Sequence, residues 1–136
     1  MILLPLFVEV ILTFVLLFTM APLRTRDFAS GAVRPEDIAL REQKWPKRTT
    51  QFANAFSNQF ELPVLFYVLT ILEYVTHLAG IVFVVLAWIF VIFRVLQAYV
   101  HVTSNTVRLR GAFFAIGAVV LAIMWVIYIV QVLALV

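Results

Sequence analysis

The sequence predicts an all-α membrane protein built as a four-transmembrane-helix bundle. Of its 136 residues, 65% are hydrophobic and only 12% are charged, and the mean hydropathy is +1.09. A soluble domain carries about 25% charged and 45–50% apolar residues. The apolar residues fall into four runs, each long enough to cross about 30 Å of hydrocarbon as a helix. The chain has room for one such domain.

The four runs follow one another along a single domain, 1–136, and are predicted to be helices of residues 2–22, 52–76, 80–102 and 111–136. Strands are not expected, because these runs exceed the roughly 10 residues of a barrel strand and do not alternate between polar and apolar positions. In lipid each span must also satisfy its own backbone hydrogen bonds, which a helix does.

The polar segment 23–51 is predicted to be a loop that contains a short helix. Pro35 and the two acidic residues after it are typical of a first helical turn. Arg41 and Lys44 suit the last turn, and Pro46 ends the helix. This helix either lies on the membrane surface or over a site, or else is an ordinary connector. The sequence leaves both interpretations open.

Lys and Arg are concentrated in two of the three loops. The long loop and the turn between the third and fourth helices hold nine of the ten basic residues, and an even number of spans places these two loops on one side. The remaining turn, 77–79, has none. Because basic loops stay in the cytoplasm, both termini are predicted to lie outside.

Several classes of function lack the residues that they need. Without cysteine there is no disulfide, thiolate ligand or cysteine nucleophile. The two histidines, His77 and His101, lack the spacing of a zinc site, so no metal is expected. The four glycines do not form a phosphate-binding or dinucleotide-binding motif. Since membrane topology accounts for the basic residues, no nucleic-acid partner is expected either.

Polar side chains mark one face on each of the two middle helices. At 100° per residue, three residues of the second helix fall within about 60° of one another, and five of the third within about 80°. The two sets are Asn54, Asn58 and Glu61, and Arg94, Gln97, His101, Asn105 and Arg108. Polar groups are costly in lipid, so the two faces are expected to meet inside the bundle.

Glu61 and Arg94 are predicted to lie at the same depth, about 12–13 Å below the cytoplasmic boundary. They are expected to form an ion pair or to share a polar ligand. One interpretation is a polar cavity that opens to the cytoplasm; the other is a structural ion pair that locks two helices. Glu9, in the first helix, is a candidate proton-coupling carboxylate or a partner across a subunit interface.

With these faces placed, the chain resembles the MAPEG family, the membrane-associated proteins in eicosanoid and glutathione metabolism, and in particular its bacterial-type members. The resemblance covers almost the whole length. The family's second helix carries Asn-x-x-Glu followed by Pro and Phe, which match Asn58, Glu61, Pro63 and Phe66. Its third helix carries Arg-x-x-His-x-x-x-Tyr and then another Arg, which match Arg94, Gln97, His101, Arg108 and Arg110.

The resemblance implies a homotrimer in a bacterial inner membrane that binds glutathione as a co-substrate between subunits, near the cytoplasmic face. It implies a glutathione-dependent transferase or peroxidase acting on lipophilic electrophiles or lipid hydroperoxides. Arg108 or Arg110 is the candidate catalytic residue that stabilises the thiolate. The candidate glutathione-binding residues are Asn54, Asn58, Glu61, Arg94, Gln97, His101 and Asn105.

Three positions depart from the family pattern and leave alternatives open. Gln97 and His101 replace the usual His and Tyr, and Asn54 stands where family members commonly have an arginine for a glutathione carboxylate. A non-catalytic protein that binds lipids or presents them to a partner is one alternative. A small proton-coupled exporter, suggested by Glu9, is a remoter one, because such transporters have little asymmetry in Lys and Arg.

Overall fold

The computed structural model describes residues 2–39 and 45–136, which fold into helices with no strand in those two ranges. The helices are α1 (Leu3–Ala29), α2 (Pro35–Ile38), α3 (Lys47–Asn58), α4 (Leu62–Thr76), α5 (Ile81–Val102) and α6 (Val107–Leu135). Four helical segments are long and apolar enough to cross a membrane: α1, α3 with α4, α5 and α6. The predicted four-helix membrane protein is confirmed at this level.

The polar loop is shorter than the sequence predicts. Helix α1 continues seven residues past the predicted end at 22, with Pro22 inside it, and α3 begins five residues before 52. Proline removes a backbone donor, but membrane helices tolerate it where neighbouring groups compensate. The predicted short helix begins at Pro35, as α2. Its expected end, with Arg41 and Lys44, lies outside the described residues.

The second span is broken into α3 and α4 at residues 59–61. The backbone N–H groups of Gln59, Phe60 and Glu61 donate to carbonyls three residues earlier, which is the tighter 3₁₀ pattern. Pro63, in the first turn of α4, explains the break. A proline ring clashes with the carbonyl four residues before it, here that of Gln59, and cannot donate to it.

One end of the bundle has an apolar core, which we call the apolar end. Phe66 of α4 stacks on Phe90 of α5 with ring centroids 4.7 Å apart, and both are fully buried. Met124 of α6 and Leu69 of α4 complete the packing. Helix α5 packs along α6 more extensively than any other described pair of helices. Many large apolar side chains on the outer faces remain exposed, as expected of surfaces that meet lipid.

The opposite end, where α1 ends, α3 begins and α5 turns into α6, is rich in polar groups, and we call it the polar end. The carboxylate of Asp27 accepts a short hydrogen bond from the hydroxyl of Thr49, and both residues are buried. This bond joins the last turn of α1 to the first turn of α3. A smaller apolar cluster around Leu16, Phe52 and Ala55 supports the same contact. The candidate site lies at this end.

Candidate functional site

The centre of the site is Arg94, whose side chain is only 1% exposed. Its guanidinium donates to the side-chain oxygen of Gln97 at 2.7 Å, one turn further along α5. It also donates to the backbone carbonyl of Asn58 at 3.0 Å. At the end of α3 that carbonyl accepts the N–H of Glu61 at 3.3 Å in place of an α-helical partner, and its second lone pair accepts from Arg94. The break in the second span therefore provides the acceptor that ties α3 to α5.

His101 connects Asn58 to Arg110. A guanidinium nitrogen of Arg110 lies 2.7 Å from the ring Nε2 of His101, and the side-chain amide of Asn58 lies 3.3 Å from Nδ1. Arginine has only donors, so Nε2 must accept. The ring is therefore neutral, and its Nδ1 faces the side-chain amide of Asn58. This chain of contacts fixes the position of Arg110.

A pocket of about 240 Å³ opens beside this chain of contacts. Asn58, Gln97 and Arg110 supply its polar groups, and Phe114 supplies an aromatic wall. Val107 and Gly111 complete the lining on α6. The pocket thus combines one cation, two side-chain amides and an apolar wall. That composition suits a small ligand that has both anionic and apolar parts.

The predicted ion pair between Glu61 and Arg94 is wrong. Among the described residues these two side chains form no salt bridge, and Glu61 is exposed at the start of α4. The prediction treated the second span as one continuous helix. The backbone of Glu61 is not helical (φ −97°, ψ −104°), so the regular helical spacing on which the prediction rested ends at this residue.

Glu9 of α1, unlike Glu61, is a fully buried carboxyl group, and it interacts electrostatically with Arg94. Neither carboxyl oxygen of Glu9 has a hydrogen-bond partner within the described part of the chain, and the two side chains form no salt bridge there. The sequence indicated that Glu9 has a special position, because it is the one charged residue of the first predicted span.

The remaining candidates do not line the pocket. Asn54 is exposed on α3, and Arg108 is exposed on the first turn of α6. Asn105 is half-buried in the turn between α5 and α6, where its φ of 52° is left-handed. Asparagine tolerates this conformation better than most residues, so the turn itself explains the side chain there.

Sequence reasoning missed the buried contact between Asp27 and Thr49 and the burial of Gln59, whose amide donates to the carbonyl of Ala55 at 2.9 Å. Gln59 lies at the helix break, which the motif containing Pro63 signals. Within the described ranges, no group of three or more His, Asp or Glu side chains is placed to hold a metal ion.

Comparison with known protein families decides the assignment that the fold and the polar contacts suggest. The profile of the MAPEG family matches residues 2–130, nearly the whole chain. The chain belongs to the MAPEG family. No match was found among curated protein sequences or among solved structures. In this MAPEG protein the motif residues Asn58, Arg94, Gln97 and His101 are joined by direct hydrogen bonds.

Proposed function

We propose that this MAPEG protein is a glutathione-dependent transferase or peroxidase that acts on lipophilic electrophiles or lipid hydroperoxides. The observation that carries the proposal is the meeting of Arg110, Asn58 and Gln97 at one pocket of the polar end. Glutathione has two carboxylates, an ammonium group and a thiol. The two amides are donors for its carboxylates, the cation suits its thiolate, and Glu61, which is exposed nearby in the chain, is available to its ammonium group.

Arg110 is the residue to which we assign stabilisation of the thiolate. It lines the pocket and is held by His101, whereas Arg108 is exposed and does not line the pocket. A thiol with a pKa of about 8.5 is only a few per cent ionised at neutral pH. A guanidinium beside the sulfur stabilises the anion and increases the fraction of nucleophilic thiolate.

The thiolate then attacks an electrophilic carbon of an apolar substrate and forms a carbon–sulfur bond, while the bond from that carbon to its leaving group breaks and the group departs as an anion with the bonding electron pair. In the peroxidase reaction two glutathione molecules supply two electrons, and a hydroperoxide is converted to an alcohol and water while a disulfide forms. The wall at Phe114 offers an apolar surface for the substrate. A substrate dissolved in the bilayer reaches this wall from the lipid side.

We also propose that three copies of the chain assemble and complete the site. The pocket of about 240 Å³ is smaller than the roughly 300–1,000 Å³ typical of whole ligand sites. Asn54 and Glu61 are polar and exposed on the second span, where lipid is an unfavourable neighbour. A neighbouring subunit covers these groups and adds further contacts to the ligand. The polar end, with the basic loops, faces the cytoplasm of a bacterial inner membrane, and both termini lie outside.

The test compares Arg110→Gln with Arg108→Gln, two identical substitutions two residues apart. Purified protein is assayed for conjugation of an apolar electrophile and for reduction of a lipid hydroperoxide, each with glutathione. Arg110→Gln is expected to lower turnover about 100-fold or more, as for other lost donors to a developing anion. Arg108→Gln is expected to retain most of the activity. Undiminished turnover in the double variant would reject the proposed mechanism.

A non-catalytic role in binding lipids is the second candidate, and one observation favours it. Asn54 leaves the second span without the cation that family members commonly use for a glutathione carboxylate. A thermal shift with added lipid, but none with millimolar glutathione, would support this role. A shift with glutathione that is lost in Arg110→Gln would support the enzyme.

A further inference from the structure

A second cavity, separate from the pocket at Arg110, lies between α1 and α3 at the polar end. It has a volume of about 410 Å³. Its lining has a polar part, made of two arginines and a threonine, and an apolar part, made of three residues. They are Arg26, Arg48 and Thr19, and Phe18, Pro22 and Leu23.

The hydrogen bond between Asp27 and Thr49 holds the two arginines at this cavity. Arg26 immediately precedes Asp27 on α1, and Arg48 immediately precedes Thr49 on α3. Because both bonded residues are buried, the bond fixes the neighbouring backbone of both helices. Arg48 also lies over the ring of Phe52, 5.4 Å from its centroid, which restricts its guanidinium. The cations are therefore positioned before any ligand binds.

The positive charge of this pair has no counter-charge among the side chains that the structure describes. Within the described residues, no acidic side chain lies within ion-pair distance of Arg26 or Arg48. The nearest acid in sequence, Asp27, is buried and uses its carboxylate to accept from Thr49. Two exposed guanidinium groups at one cavity, without a counter-charge, favour an anion with several oxygens.

The apolar side of the cavity indicates what the anion is attached to. Phe18, Pro22 and Leu23 lie along one side of α1 below Arg26, and Phe18 is 69% exposed. From Phe18 to Arg26 the helix rises about 12 Å, which takes the cavity from the apolar run of the span to its basic end. A free anion contacts only the upper part, whereas an anionic phospholipid places its phosphate at the arginines and its acyl chain against Phe18.

We infer that this cavity is a binding site for the headgroup of an anionic phospholipid, one per chain. It does not depend on glutathione chemistry, because none of its residues lines the pocket at Arg110. The bound lipid neutralises Arg26 and Arg48 and packs against the side of α1 at the membrane boundary.

The test is native mass spectrometry of the purified protein with dioleoylphosphatidylglycerol, and with dioleoylphosphatidylcholine as the zwitterionic comparison. The unmodified protein is expected to retain one phosphatidylglycerol per chain and to bind phosphatidylcholine at least about tenfold more weakly. In Arg26→Gln/Arg48→Gln the affinity for phosphatidylglycerol is expected to fall about 30-fold, since each arginine at a membrane surface contributes a factor of about five.

The matched control is Arg34→Gln/Lys47→Gln, which removes the same charge from exposed residues outside the cavity. It is expected to bind phosphatidylglycerol within about twofold of the unmodified protein. An equal loss of affinity for phosphatidylglycerol in both double variants would overturn the site, because it would show that the lipid responds only to the total positive charge of the protein. Equal thermal stabilisation of the unmodified protein by inorganic phosphate and by phosphatidylglycerol would overturn the lipid assignment, and this comparison does not depend on any variant.

Discussion

The two ends of this bundle are held together by different forces. At the apolar end Phe66, Phe90 and Met124 are fully buried and pack by shape alone. At the polar end the contacts are directional: the guanidinium of Arg94 and the ring of His101 each join two helices through hydrogen bonds. In lipid, apolar side chains gain little from leaving the solvent, so packing density supports the first end and satisfied polar groups support the second.

The comparison shows why the candidate site is at the polar end. A close-packed apolar core leaves no room for a ligand and offers it no polar contact. The broken second span does the opposite, because the carbonyl of Asn58 accepts from Arg94 at the break and Glu61 is exposed there. Pro63, which causes the break, therefore separates the apolar end from the polar end, where the candidate site lies.

The largest expected loss of stability follows from removing the cation at the polar end. Arg94→Met removes the donor of the buried side-chain oxygen of Gln97 and the hydrogen bond that joins α5 to the carbonyl of Asn58. The free energy of unfolding is expected to fall by about 3 kcal/mol, because a buried acceptor left without its donor costs about 1–3 kcal/mol and the contact between α3 and α5 is lost as well. Reversible unfolding in mixed micelles measures the change.

The exposed Arg108 provides the matched control for this prediction. Arg108→Met is expected to change the free energy of unfolding by less than about 0.5 kcal/mol. Glu9→Leu combined with Arg94→Met is expected to recover part of the loss, since it removes both charges. A loss below about 1 kcal/mol in Arg94→Met would mean that the polar end does not depend on this residue.

A smaller loss is expected at the apolar end. Phe90→Ala removes a buried ring that stacks on Phe66 and leaves a cavity. In water-soluble proteins this costs about 3–5 kcal/mol; here about 2 kcal/mol is expected, because the unfolded chain keeps the side chain in lipid or detergent. Phe18→Ala, at an exposed position, is the control. If Phe90→Ala also abolished glutathione binding, the separation of the apolar end from the candidate site would be wrong.

The turn between α5 and α6 provides a third, still smaller test. Asn105 has a φ of 52°, a left-handed conformation that costs alanine about 1 kcal/mol and costs glycine nothing. Asn105→Ala is therefore expected to lower the free energy of unfolding by about 1 kcal/mol, and Asn105→Gly to leave it nearly unchanged. Equal loss in both variants would indicate that the Asn105 side chain, not the backbone, has the main role.

The smallest effect is expected at Gly117 on α6. A Cβ at this position meets the ring of Phe90 at 3.8 Å, an ordinary contact distance. Gly117→Ala is expected to be neutral or to stabilise by about 0.5 kcal/mol, because alanine favours the helix. Thermal unfolding measures the shift. A clear destabilisation would show that the ring of Phe90 leaves no room for the added methyl group.

The sequence by itself determined the class of the protein. Four apolar runs, one long basic loop and polar residues spaced along the middle spans follow from the thickness of the bilayer and the periodicity of a helix. The same pattern identified Asn58, Arg94, Gln97 and His101 as a group, which the hydrogen bonds join. The resemblance to the MAPEG family suggested Arg108 and Arg110 as alternatives without a way to choose between them.

Only the tertiary structure decided how these groups are paired. Helical periodicity assumes an unbroken helix, so it placed Glu61 opposite Arg94, whereas Pro63 breaks the span and leaves Glu61 exposed. The buried carboxyl group that interacts with Arg94 is that of Glu9, far away in the chain, because α1 packs against α5. Arg110 rather than Arg108 reaches the pocket because the turn at Asn105 sets the rotation of α6. Periodicity describes one helix at a time, and the relative rotation of two helices is fixed only when they pack.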